Sequence, residues 1–263
     1  MKEPEWWIRQ KTNLSEYLDN YDLAADSLYN KSLINRKLGV NYTRGLTIDS
    51  TSHTMHGFFT WRNVSANKDK DEPDVILAHL LKEFNPRVKA IVIVRNPTNR
   101  LFSQYKMKHA KQNEIRRQSG TNHPQMFHNM AVDVVKRMTT CINEHSERYC
   151  AYTFQKDHLS LKAGMYSTFI KDWIKVLGEN LMVIRAEQYY ENRGKVIQQI
   201  SAFLDISPLG EKDIQAIDES GLNGRRPMKD HMLSKTRTLL DEFYAPFNRE
   251  LTDLLKDRKL PGQ

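Results

Sequence analysis

Apolar residues are concentrated most densely in one short segment of this chain and recur every three or four residues in several longer segments. The run VKAIVIV, residues 88 to 94, is rich in β-branched side chains and is typical of a strand buried on both faces of a parallel sheet. Two shorter runs, LTID at 46 to 49 and LMVIRA at 181 to 186, are further strand candidates. Helical periodicity predicts helices over residues 14 to 30, 74 to 84, 98 to 112, 126 to 144, 164 to 178, 191 to 204 and 231 to 256.

The order of these segments predicts the fold class. Strands separated by helices favour βαβ units and an α/β fold with a central parallel sheet flanked by helices. The chain has 263 residues and 39% hydrophobic residues, enough to bury a substantial core. The polar stretches at 66 to 74 and 116 to 124 have the composition of exposed loops rather than of domain linkers, so we predict a single domain over residues 1 to 263.

Charge narrows the classes of partner. Lysine and arginine number 40 against 32 for aspartate and glutamate, giving a formal net charge of +8. A basic chain favours a polyanion such as nucleic acid, anionic lipid, a nucleotide or a sulfated polysaccharide, although a scattered basic surface on a soluble protein is the ordinary alternative. Nucleic-acid binding has only this charge in its favour, because the sequence contains no zinc-ligand spacing, aromatic RNA motif or clustered basic helix.

Three features of the sequence bear on the cellular compartment. No run of eighteen apolar residues occurs, and the first ten residues, MKEPEWWIRQ, do not form a signal peptide. Two cysteines, Cys141 and Cys150, are close enough in sequence for a short-loop disulfide, and two buried free thiols are the alternative. Four glycosylation sequons favour the secretory pathway; their asparagines are Asn13, Asn30, Asn41 and Asn63.

Polar chemistry is concentrated where the strongest strand ends. Arg95 follows the apolar run, and Pro97 suits the first turn of a helix. Arg100 and Ser103 are three residues apart, so they are neighbours on that helix. A cation, a hydroxyl and a helix amino end together make a phosphate-binding cradle, whereas surface pairing of both arginines with acidic residues is the alternative.

Residues 95 to 105, RNPTNRLFSQY, resemble the 3′-phosphate-binding motif of sulfotransferases that use 3′-phosphoadenosine 5′-phosphosulfate. Further resemblances follow in that family's order, to the Golgi glycosaminoglycan sulfotransferases: KEPEWW, TIDSTSHTM, LKAGMYSTFIKDWIKVL, LMVIRAEQYYEN and NGRRPMKD. The resemblance covers nearly the whole chain and is strongest to members that sulfate the 6-hydroxyl of N-acetylgalactosamine 4-sulfate in chondroitin or dermatan sulfate. It implies a P-loop-like sulfotransferase fold.

The resemblance also implies site residues. It assigns Arg95 and Ser103 to the 3′-phosphate, and Gly224 with Arg225 to a loop that closes over the nucleotide. In the Lys-Glu-Pro segment it makes Glu3 the catalytic base, because a sugar hydroxyl must lose its proton in sulfuryl transfer. Lys2 contacts the nucleotide or the acceptor in this interpretation. Without the family motif, both residues would be ordinary solvated charges near the chain start.

The family resemblance extends to compartment and partners. The cysteine pair coincides with one in that family, and the implied location is the Golgi lumen, with membrane attachment only through a segment outside this sequence. The implied acceptor is a sulfated glycosaminoglycan, and no metal is expected because the histidines show no ligand spacing with the cysteines.

One family element is missing from the sequence. The family holds the 5′-phosphosulfate with a strand and a Lys-x-Gly-Thr-Thr-type turn upstream of the Lys-Glu-Pro segment, and no such turn occurs here. We therefore expect an N-terminally incomplete sulfotransferase domain that lacks the first strand and the phosphate loop. The alternatives are a catalytically impaired fragment and a protein that only binds sulfated polysaccharide or the nucleotide.

Aromatic residues allow two interpretations. Trp6 and Trp7 are able to stack on a sugar ring or adenine, and core packing is the ordinary alternative. Tyr166 and Trp173 share helical spacing with Ile170, and this pattern predicts a buried helix face. Hydroxyls at residues 50 to 52 follow a strand candidate and fit either a cleft wall or a turn.

Overall fold

The computed structural model describes residues 6–9, 13–29, 32–35, 40–43, 46–116, 123–154, 159–220 and 231–256. The chain divides into two compact units, Met1–Leu77 and Ala78–Gln263. The single domain over residues 1 to 263 stays a prediction.

The first unit is built from short elements. It contains α1 (Trp6–Arg9), α2 (Leu14–Leu18), α3 (Asp22–Tyr29), β1 (Ser32–Asn35) and β2 (Val40–Thr43). Strands β1 and β2 pair antiparallel, with Ser32 opposite Thr43. A 3-10 turn at Asp19–Tyr21 separates α2 from α3, so the predicted helix over 14 to 30 is interrupted.

The second unit carries the parallel sheet. It contains α4 (Leu77–Phe84, which starts one residue before the unit), β3 (Ala90–Val94), α5 (Pro97–Arg116), α6 (His123–Glu144), α7 (Glu147–Thr153), α8 (Tyr166–Leu177), β4 (Leu181–Arg185), α9 (Ala186–Glu191), α10 (Arg193–Phe203), α11 (Glu211–Ser220) and α12 (Ser234–Lys256). Strands β3 and β4 are parallel, with Ala90 opposite Leu181 and Val94 opposite Arg185. This arrangement confirms the predicted α/β class.

Helices pack against the sheet and against one another. The α10 helix packs on β4 through a cluster formed by Met182, Ile184, Val196 and Phe203. The long α12 helix contacts α5, α6 and α8, and its Leu240, Tyr244 and Phe247 are buried. These contacts place α12 against the helix that follows β3, where the sequence locates the candidate site.

Three further sequence predictions need correction. Residues 46 to 49 do not form a strand, because Leu46 and Ile48 are exposed and the Asp49 carboxylate accepts the Thr51 amide in a turn. The predicted helix over 191 to 204 is two helices, because Asn192 ends α9 and caps α10 through the Lys195 amide.

The third correction concerns β3. An apolar run predicted burial on both faces, but Ile91 is 36% exposed and Ile93 is 65% exposed, while Val94 is buried. Within the residues that the structure describes, β4 is the strand that pairs with β3. The run of apolar residues therefore identified the strand correctly but overestimated how much of it is covered.

No helix in the described ranges is long and apolar enough to cross a membrane.

Candidate anion-binding site at the carboxyl edge of the sheet

The turn between β3 and α5 is built by its own sequence. Asn96 caps the helix, since its side-chain oxygen accepts the Asn99 amide at 2.8 Å and its carbonyl accepts the Arg100 amide at 2.9 Å. Pro97 occupies the first helical position, where a backbone N–H would have no partner within the helix, so the proline costs no hydrogen bond. A twenty-residue helix thus begins at the carboxyl end of a parallel strand, the place where α/β proteins bind anions.

Arg95 and Ser103 both lie at this helix start with unused polar groups. Arg95 directly follows β3 and is partly exposed, and Ser103 is partly exposed on the second turn of α5. In the part of the chain that the structure describes, neither side chain has an ion pair or a hydrogen bond. A cation and a hydroxyl are therefore available to a ligand at the edge that the sequence predicted.

Arg100 has a different role from the one its spacing suggested. Its Nη2 donates to the Ser160 carbonyl at 2.6 Å, and its Nη1 lies 3.4 Å from Gln104 Oε1. The same Gln104 oxygen accepts the Ser160 amide at 3.3 Å, so α5 holds the segment before α8 at two points. Arg100 therefore bonds to the Ser160 backbone and the Gln104 side chain, and not to an acidic residue as in surface pairing. Its buried Nε has no partner among the described residues.

Gly164 and Tyr244 pack against the same turn. The Tyr244 hydroxyl donates to the Leu161 carbonyl at 2.8 Å, and burial of this side chain raises its pKa. A Cβ on Gly164 would lie 2.8 Å from the Tyr244 ring and 2.9 Å from the Pro97 Cβ, and both distances are shorter than van der Waals contact. Only glycine allows this close approach of three segments at the start of α5.

Tyr166 lies next to Arg95. The pKa of the Tyr166 hydroxyl is raised, mainly because the side chain is buried. The Arg100 charge, a hydrogen bond with the Arg95 backbone and the Arg95 charge act in the opposite direction and lower the pKa by less. Residues Tyr166, Ile170 and Trp173 are buried, which confirms the predicted helix face. Tyr166, the first residue of α8, therefore contacts the turn that carries Arg95.

Acidic groups on two other elements fix the turn further. Glu187 Oε1 accepts the Asn96 amide at 2.9 Å, and the Thr98 hydroxyl donates to Asp241 at 2.6 Å. Arg237 also donates to the Asn99 side chain at 3.0 Å. The backbone that presents Arg95 is thus bonded to α9 and α12. Because this backbone is already held in place, ordering it adds little to the free-energy cost of binding a ligand.

Sequence reasoning missed Arg185. This residue ends β4, lies opposite Val94 in the register, and is exposed. Its guanidinium has no ion pair among the described residues. Arg95 was predicted as a site residue because it is a cation at the carboxyl end of a parallel strand. The same argument applies to Arg185, since residues 181 to 186 were also predicted to form a strand.

The other predicted site residues lie elsewhere. Lys2, Glu3, Gly224 and Arg225 fall outside the described residues, so their assignments stay predictions. In the first unit, the buried Trp7 donates to the Tyr17 hydroxyl at 3.0 Å, and Trp6 stacks on the same ring at 5.1 Å between centroids. Core packing is therefore the correct interpretation for Trp7.

Cys141 and Cys150 form a disulfide that joins α6 to α7, so the free-thiol alternative is wrong. Among the described residues, no group of three histidine, cysteine or acidic side chains is placed to hold a metal ion.

Comparison with known proteins defines the class. The model of the Sulfotransferase domain family matches residues 6–242, and the chain therefore belongs to that family. It is 25% identical to mouse carbohydrate sulfotransferase 15 over 279 aligned residues, and 24% identical to the rat and human proteins of that name. Each alignment covers 98% of this chain and 48% of the relative, so the chain spans about half the length of the curated relatives that it matches.

A solved structure supports the fold. The crystal structure of a sulfotransferase from Alicyclobacillus acidocaldarius aligns with 98% of this chain and 85% of its own, with a TM-score of 0.51 and 16% sequence identity. This likeness and the parallel pairing of β3 with β4 establish the sulfotransferase fold.

Proposed function

We propose that this chain belongs to an enzyme that moves a sulfuryl group from 3′-phosphoadenosine 5′-phosphosulfate to a carbohydrate hydroxyl. The observation that carries the proposal is the turn after β3, where Arg95 and Ser103 have no protein partner within the described residues. A phosphate placed there would receive a charge-assisted bond from Arg95, a hydroxyl bond from Ser103 and the favourable end of the α5 dipole. The family match to residues 6–242 supports this reaction class.

The proposed transfer is an in-line displacement at sulfur. The bond between sulfur and the 5′-phosphate oxygen breaks, a bond between sulfur and the sugar oxygen forms, and 3′-phosphoadenosine 5′-phosphate leaves. We assign Glu3 to accept the proton of the sugar hydroxyl and Lys2 to contact the nucleotide or the acceptor. We assign Gly224 and Arg225 to close over the nucleotide, and no metal takes part in the proposed reaction.

The acceptor class is part of the proposal. The matched mammalian proteins are named carbohydrate sulfotransferases, which favours a carbohydrate. The net charge of +8 favours an acceptor that already carries sulfate groups. We propose the 6-hydroxyl of N-acetylgalactosamine 4-sulfate in chondroitin or dermatan sulfate, acting in the Golgi lumen, where the Cys141–Cys150 disulfide would persist.

Transfer of labelled sulfate tests the reaction. The assay uses the 263-residue chain, and any longer natural form that contains it, with labelled donor and chondroitin sulfate as acceptor. We expect label at position 6 of the 4-sulfated sugar and loss of transfer in Arg95→Ala. Label on another position would overturn the acceptor assignment alone.

The net charge also favours a binding-only protein for sulfated polysaccharide or the nucleotide. Tight binding of both ligands without transfer in any form of the protein would contradict the enzyme proposal and favour this alternative.

A further inference from the structure

The sequons are not equivalent in the structure. Asn30 lies outside the described residues, and only the backbone is described at Asn41. Asn13 is exposed, but its side-chain oxygen accepts the Glu16 amide at 2.9 Å and its Nδ2 donates to the Glu16 carboxylate at 3.2 Å. The amide of Asn13 is therefore already used to cap α2.

Asn63 has an unused amide. It ends a 3-10 turn, Trp61–Asn63, and its backbone N–H donates to the Thr60 carbonyl at 2.8 Å. Its side chain is exposed and makes no hydrogen bond or ion pair with the described residues. Modification of this amide would break no bond that the structure shows.

The backbone around Asn63 is firmly anchored. Trp61 is fully buried, and so is Asn67, whose Nδ2 donates to the carbonyls of Trp61 at 2.8 Å and Val75 at 2.7 Å. The Asn67 Oδ1 accepts the Val75 amide at 2.8 Å. Inward-facing Trp61 and Asn67 thus leave Asn63 and the sequon hydroxyl of Ser65 on the exposed side of the turn.

We propose that Asn63 is a site of N-linked glycosylation. The sequon Asn63-Val64-Ser65 supplies the acceptor amide and the hydroxyl two residues later, and both side chains are exposed. This inference rests on the proposed lumenal location, which the Cys141–Cys150 disulfide supports independently of the catalytic assignment.

The modification is a group transfer from a lipid-linked oligosaccharide, which the secretory pathway supplies. The anomeric carbon of the first sugar loses its bond to a diphosphate oxygen and forms a bond to Asn63 Nδ2. The amide gives up one proton, and the polyisoprenyl diphosphate is the leaving group. One side-chain N–H and the side-chain carbonyl oxygen of Asn63 remain. The backbone N–H of Asn63 takes no part in the reaction, so the turn keeps its backbone bond to Thr60.

A single-sequon variant tests the assignment. Ser15→Ala, Ser32→Ala and Thr43→Ala together remove the other three sequons while leaving the Asn13 cap in place. The whole chain is expressed behind a cleavable secretory leader, and the product is compared before and after peptide N-glycosidase by gel mobility and peptide mass. We expect one glycan on the single-sequon variant and conversion of the Asn63 side chain to a carboxylate by the glycosidase.

Two variants at Ser65 complete the experiment. In the single-sequon background, Ser65→Ala removes the sequon hydroxyl and should abolish the mobility shift, whereas Ser65→Thr should retain it. Disulfide mapping of Cys141 and Cys150 in the same sample reports whether the chain reached an oxidising compartment and folded. An unmodified Asn63 in disulfide-bonded protein would overturn this inference and leave the proposed location intact, and a shift that persists in Ser65→Ala would overturn it as well.

Discussion

The Glu187 carboxylate accepts the backbone amide of Asn96 at 2.9 Å, which joins the residues following the two parallel strands of the sheet. Because Asn96 follows Arg95, this bond fixes the backbone that presents the proposed phosphate-binding cation. Glu187 is a positioning residue in this account, since it acts through the turn and not on the ligand.

We expect Glu187→Ala to weaken binding of 3′-phosphoadenosine 5′-phosphate several-fold, because the turn amide loses its acceptor and Arg95 is less well ordered. Glu187→Gln keeps an acceptor oxygen at the same place and should restore most of the affinity. Calorimetry on both variants decides the point. Equal losses in the two variants would show that the carboxylate charge matters rather than the bond to Asn96.

Gly164→Ala should destabilise the second unit, because the added Cβ would lie 2.8 Å from the Tyr244 ring and 2.9 Å from Pro97. Overpacking of this kind costs about 1–3 kcal/mol in the free energy of unfolding. Urea denaturation measures the change. Gly210→Ala is the matched control, since its Cβ would meet nothing closer than 3.6 Å. A loss no larger at Gly164 than at Gly210 would contradict the packing argument.

Arg185→Ala tests the residue that sequence reasoning missed. As an exposed cation at the end of β4, Arg185 should strengthen the attraction of anions to this edge of the sheet. We expect the variant to bind the nucleotide bisphosphate several-fold more weakly at low salt, and the deficit to shrink as salt screens the charge. Affinity and salt dependence unchanged from the parent would remove Arg185 from the site.

The pair of Lys171 and Glu250 gives a prediction about pH. Lys171 Nζ lies 2.6 Å from Glu250 Oε1, and the hydrogen bond from Lys171 lowers the pKa of Glu250 below its usual value of 4.5. A carboxylate whose pKa is lower in the folded protein stabilises it above the unfolded value, and this stabilisation is lost as the pH falls through the folded pKa.

Glu250→Gln should therefore reduce the free energy of unfolding at pH 7 by about 0.2–1 kcal/mol, the usual range for a solvent-accessible ion pair. At pH 3 the parent and the variant should differ less. Denaturant melts at the two pH values make the comparison. A deficit that grows on acidification would contradict the assigned sign.

Local signals in the sequence predicted the turn that carries Arg95. A β-branched run, a proline at the first helical position and a serine two turns into α5 are all encoded within residues 88 to 103. Their positions depend on backbone preferences and helix periodicity, which act over a few residues. The strand over 181 to 186 could be predicted for the same reason.

The sequence could not predict the features that depend on contacts between distant residues. The bonds of Asn96 to Glu187 and of Thr98 to Asp241 join residues 91 and 143 positions apart, and no local pattern encodes them. Likewise, the apolar character of Ile93 could not show that 65% of its surface is exposed, because exposure depends on which elements pack beside β3.

The most direct test of the account is the affinity of the 263-residue chain for 3′-phosphoadenosine 5′-phosphate, measured by calorimetry for the parent, Arg95→Ala and Ser103→Ala. Arg87→Ala is the matched control, because it removes the same charge from an exposed position before the amino end of β3. The account predicts binding by the parent and Arg87→Ala, and a loss of roughly tenfold or more in Arg95→Ala, since a charge-assisted hydrogen bond contributes about 1.5–3 kcal/mol. Ser103→Ala should lose less, and Ser103→Thr should recover binding. Equal affinities for Arg95→Ala and Arg87→Ala in folded protein would contradict the proposed phosphate site.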